Sequence, residues 1–89
     1  MKTNKQISDA IVEFVKGFKS MPTDINVVEV EVKDDYIDII IEGVLHNKIC
    51  YGKDNVNFIQ EGCGYRPEEL KFSAEILERM DEIINLIAA

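Results

Sequence analysis

Eighty-nine residues make one domain with a single thin core, which buries about 60–68% of the surface its unfolded chain exposes. A composition of 46% hydrophobic and 30% charged residues excludes the apolar depletion of a disordered chain, and no apolar run approaches the ~20 residues of a membrane span. Seventeen acidic side chains against ten basic ones give a net charge of −7, which disfavours nucleic-acid phosphate as a partner and favours a basic protein surface.

Ile7, Ala10, Ile11, Phe14, Val15 and Phe18 recur at helical spacing, with Lys5, Ser8, Asp9, Glu13 and Lys16 opposite them. The spacing predicts an amphipathic helix over 4–19. Thr3 and Gln6 fit a capping box at its start, and Gly17 and Pro22 mark its end.

From residue 25 the period changes to two. Val28, Val30 and Val32 alternate with Glu29, Glu31 and Lys33; beyond Asp34 and Asp35, Ile37, Ile39 and Ile41 alternate with Tyr36, Asp38, Ile40 and Glu42. A two-residue turn at the aspartates pairs Val32 with Ile37, Val30 with Ile39 and Val28 with Ile41, placing all six on one face. A short loop over 42–44 then pairs Ile41 with Leu45 and Ile37 with Ile49, and sets Lys48 opposite Asp38. A further loop over 52–55 returns the chain through 56–61, with Tyr51 opposite Val56 and Ile49 opposite Phe58.

Gly62 to Gly64 breaks the last strand, and Pro67 with Glu68 and Glu69 starts a second helix. Its expected core stripe is Leu70, Ala74, Leu77, Met80, Ile84, Ile87 and Ala88. Ile76 and Ile83 then widen the apolar arc beyond what one sheet face covers, which suggests a homodimer formed through those two residues. The expected architecture is α+β, in the order helix, four-stranded antiparallel meander, helix, with both helices on one sheet face.

The other face of that sheet gathers Glu29, Glu31, Asp38 and Glu42, with Val27, Tyr36, Ile40, Val44 and Ile59 among them. Apolar residues rimmed by acids form a protein-binding surface, and the residues expected to contact a partner are Glu29, Glu31, Tyr36, Asp38, Ile40 and Glu42. The same acids equally fit a solvated face relieved by Lys48; on a flat sheet they lack the convergent cage a hard cation needs.

Soft-ligand and nucleophile chemistry is sparse. Two cysteines and one histidine at irregular spacing do not make a zinc site, and neither a disulfide framework nor a cofactor motif is present. Cys63 lies between glycines upstream of a helix start, but its only histidine base, His46, is expected opposite Glu61 on the third strand. Asn47 and Gln60 should be neighbours on the helix-facing side, either bonded to each other or lining a small polar notch.

The surface chemistry favours a cytoplasmic, non-enzymatic interaction domain for a basic protein, without membrane, metal or cofactor. A small phage or mobile-element inhibitor that occupies a nucleic-acid-binding groove is one concrete form. The alternative is a small ligand binder or a cysteine-dependent enzyme built on Cys63 and His46.

Overall fold

The computed structural model describes residues 2–23, 28–51, 56–64 and 66–88. The chain runs α1 (Asn4–Lys16), β1 (Val28–Val32), β2 (Tyr36–Ile41), β3 (Leu45–Tyr51), β4 (Val56–Gly62), α2 (Pro67–Glu78) and α3 (Met80–Ala88). The four strands form an antiparallel meander in the order β1-β2-β3-β4, an α+β arrangement. The expected positions at Val27 and in the 52–55 loop lie outside the described residues.

The capping box holds α1 at its start: the Gln6 amide donates to Thr3 Oγ1 at 3.1 Å, and the Thr3 amide donates to Gln6 Oε1 at 2.9 Å. Gly17 ends the helix three residues sooner than the spacing predicts, and Phe18 enters the core from the turn that follows. Ile7, Ile11 and Val15 form the buried face of α1, which packs against β1 and α3.

Each of the three strand pairings has the register that alternation predicts, including Val30 with Ile39, Ile37 with Ile49, Ile49 with Phe58 and Asp38 with Lys48. On the helix side, Ile37, Ile39, Ile41, Leu45 and Ile49 are buried; Val28, Val30, Val32 and Phe58 pack around them. The β1–β2 turn is closed by the Lys33 amide donating to the Tyr36 carbonyl at 2.8 Å. Neither Asp34 nor Asp35 takes a positive φ, so this turn has no need of the glycine that most two-residue hairpins use.

The β2–β3 loop does need left-handed backbone: Glu42 has φ 53° and Gly43 φ 74°. Gly62, paired with Leu45, has φ 93°, and a Cβ there would lie 2.0 Å from the Val44 carbonyl oxygen. The end of β4 therefore presses on the β2–β3 loop where only glycine fits.

The C-terminal segment departs from expectation. It is two helices, with the break at Arg79, and a different stripe faces the sheet. Phe72, Ile76 and Ile83 are 0% exposed, whereas Leu70 and Leu77 are 47% and 49% exposed. Phe72, the bulkiest of these side chains, takes the core position, and Ile76 follows one turn later. Ile76 and Ile83 are thus interior residues and cannot form the proposed self-association surface. At the break, the Arg79 guanidinium lies over the rings of Phe14 and Phe18 at 4.4 and 5.0 Å and pairs with Glu75 and Glu82.

Glu75 ties this helix layer to the turn after α1 by accepting hydrogen bonds from the Lys19 and Ser20 amides and from the Ser20 hydroxyl. Burial acts to raise its pKa, but those hydrogen bonds and the charge of Arg79 outweigh it and hold the carboxyl below its ordinary value. A lowered folded-state pKa stabilises above the unfolded value, near 4.5, and that contribution disappears as pH falls through the folded value. In urea unfolding, the stability advantage of wild type over Glu75→Gln should be constant near neutrality and shrink below about pH 4.5. An advantage that grows on acidification would contradict this assignment. The same assay should find Gly62→Ala costlier than Gly43→Ala, at roughly 2–3 against ~1 kcal/mol, because only Gly62 faces a carbonyl.

Candidate interaction surface on the open face of the sheet

β-strand alternation sends Glu29 and Glu31, Tyr36, Asp38 and Ile40, His46, Lys48 and Cys50, and Asn57, Ile59 and Glu61 to the face opposite the helices. β2 is interior to the sheet and is buried on both sides from Ile37 to Ile41.

This two-sided burial corrects two of the expected contact residues. Asp38 and Ile40 point to the open face, yet each is 5% exposed. The strands on both sides supply the cover: Asp38 lies between Glu31 and Lys48, and Ile40 between Glu29 and His46. They form the floor of the face. Glu29, Glu31 and Glu42 are exposed and Tyr36 half-buried, so these four of the six expected residues remain available to a partner. Ile59, at 44% exposure, adds an apolar contact that the expected set omitted.

Ionic contacts on this face run diagonally. The Asp38 carboxylate accepts from His46 Nδ1 at 2.8 Å, although Lys48 is the residue directly opposite it. Lys48 donates instead to Glu61 Oε2 at 3.0 Å and lies 5.8 Å from the centre of the Tyr36 ring. The Glu61 hydrogen bond, joined by the charges of Glu61 and Asp38, raises the pKa of the Lys48 ammonium. The second Asp38 oxygen, Oδ1, is buried without a hydrogen-bond partner among the described residues. Glu31 lies 3.9 Å from Lys33, and Glu42 pairs with Arg66, which also bonds the buried Glu69 at 2.9 Å. The Glu31–Lys33 pair is exposed on both sides and contributes little stability, so its charges remain usable by a partner.

His46 is joined to Asp38, while Cys63 is exposed and makes no hydrogen bond among the described residues. Cys50 and Cys63 are both free thiols. Among the described residues no group of three or more His, Cys, Asp or Glu side chains has metal-binding geometry, and no helix is long and apolar enough to cross a membrane.

On the helix side, Asn47 is fully buried; its Nδ2 donates to the Ile39 carbonyl at 3.2 Å, and its Oδ1 accepts from Gln60 at 3.4 Å. The expected amide pairing is present, and beside Gln60 an open groove of about 250 Å³ runs between β4 and α2.

No protein-family model, no curated protein and no solved structure matches this chain.

Because Ile40 is part of the floor, Ile40→Ala should behave as a core truncation and cost about 2–4 kcal/mol in denaturant unfolding. Glu29→Ala, on the exposed edge strand, should stay within ~0.5 kcal/mol of wild type. Equal, small effects at both positions would show that the open face has no buried floor.

Proposed function

We propose that this protein is a non-enzymatic interaction domain that uses the open sheet face to bind a basic surface on another protein. The observation that carries this reading is a sheet face that presents the exposed Glu29 and Glu31 of β1 together with the half-buried Tyr36 of β2 and the exposed Ile59 of β4, with the exposed Glu42 at the β2–β3 loop. The uneven charge supports it, since residues 24–42 hold seven acidic side chains against Lys33 alone. Such a face recruits a cationic partner through long-range attraction and retains it through apolar contact at Tyr36 and Ile59. Inhibition of a nucleic-acid-binding protein by covering its basic groove is one function of this type.

The division of labour is measurable on a partner captured from the host and then purified. Glu29→Lys combined with Glu31→Lys should slow association by about tenfold or more at low salt and flatten its salt dependence. Tyr36→Ala should mainly speed dissociation, costing ~1–2 kcal/mol if the ring is at the centre of the contact. Wild-type kinetics in a folded charge-reversal variant would contradict the proposal.

A further inference from the structure

The two edges of the sheet are treated differently. On β1, Glu29 and Glu31 alternate with the valines, α1 packs against the strand, and the Ser8 hydroxyl donates to the Val30 carbonyl at 3.0 Å. Charges and a covering helix are how proteins keep an edge strand from pairing with another chain. β4, the opposite edge, has neither proline nor lysine, and its pairing with β3 is continuous over all seven residues, without a bulge. Its one charged residue, Glu61, is already engaged by Lys48.

Beside this edge, which carries none of those protections among the described residues, α2 turns Leu70, Ala74 and Leu77 away from its own core. They line the 250 Å³ groove together with Phe58, Gln60 and Ser73. None of the six is charged, although the chain as a whole carries −7. A basic partner finds nothing complementary here, whereas an equally neutral, apolar surface does. The Ser73 hydroxyl is buried in this wall without a hydrogen-bond partner among the described residues.

We infer that two copies of this chain associate through their β4 strands, paired antiparallel about a two-fold axis at Ile59, the middle residue of Val56–Gly62. That register sets Phe58 opposite Gln60 of the partner subunit and Asn57 opposite Glu61 of the partner subunit, so no charge faces a like charge. A two-fold axis perpendicular to the sheet keeps both helix layers on the same side. Each groove is then closed by the Leu70 and Leu77 stripe of the other copy, and an amide side chain is brought beside the wall that contains Ser73. The backbone groups of β4 that point away from β3 acquire partners, and the two open faces join into one eight-stranded surface.

Sedimentation velocity of the full chain over the micromolar range tests this. Wild type should sediment as a dimer, and Leu70→Lys with Leu77→Lys, two positions half-exposed in the single chain, should sediment as a folded monomer. An independent variant carries Ile59→Cys in a background of Cys50→Ser and Cys63→Ser. The axis places the two new thiols opposite each other, at the Cα separation a disulfide accepts, so mild oxidation should yield a covalent dimer. The control Lys5→Cys, on α1, should not cross-link. Wild type that stays monomeric throughout overturns the inference, as would an edge that pairs only with a foreign strand. So would a dimer that survives both lysines and fails to cross-link at residue 59.

Discussion

The fold depends on the register of β2. This strand pairs on both sides and is buried on both faces, so its alternation separates two different interiors: Ile37, Ile39 and Ile41 under the helices, and Asp38 with Ile40 on the open side. A slip of one residue would drive the Asp38 carboxylate into the apolar core and expel the isoleucines. Two turns guard against it. The Asp34–Asp35 turn fixes β2 against β1, and the left-handed pair Glu42 and Gly43 fixes it against β3, with Gly62 of β4 closing on the same loop.

The character of the open face follows from that register. With Asp38 held between neighbouring strands, the polar contacts around it settle diagonally, His46 on Asp38 and Lys48 on Glu61. The diagonal choice makes Lys48 a link between β3 and β4, while its ammonium remains within reach of the Tyr36 ring. What is left for a partner is the rim: the exposed acids of β1, Glu42 at the loop, and the apolar surface of Tyr36 and Ile59. Charge and contact surface are therefore separated in space, as steering followed by docking requires.

Strand order and every register were legible in the sequence, because Val28, Val30, Val32, Ile37, Ile39 and Ile41 keep a period of two and short turns leave one solution that puts all six on one face. The phase of the last helix was not. Leu70, Ala74 and Leu77 form one apolar stripe, Phe72 and Ile76 another, and spacing alone does not rank them; packing around Phe72 does. The break at Arg79 carries no glycine or proline to announce it, and the position of that guanidinium over the Phe14 and Phe18 rings is a tertiary contact that spacing does not report. The acids of the candidate face were legible as a group. The burial of Asp38 and Ile40 was hidden because alternation reports which face a residue takes, not how far the neighbouring strands cover it. On the C-terminal segment both assignments are reversed: Ile76 and Ile83, expected at the surface, are buried, and Leu70 and Leu77, expected against the sheet, are half-exposed.

The binding role of the open face is tested most directly by photo-crosslinking in the host cell, with a photoreactive phenylalanine analogue at Tyr36 on that face or at Glu13 on the exposed side of α1. Adducts at position 36 to a basic protein, absent at position 13 and weakened by Glu29→Lys with Glu31→Lys, are the predicted result. Adducts formed from position 13 alone, or from position 36 with no sensitivity to the charge reversal, would contradict the account.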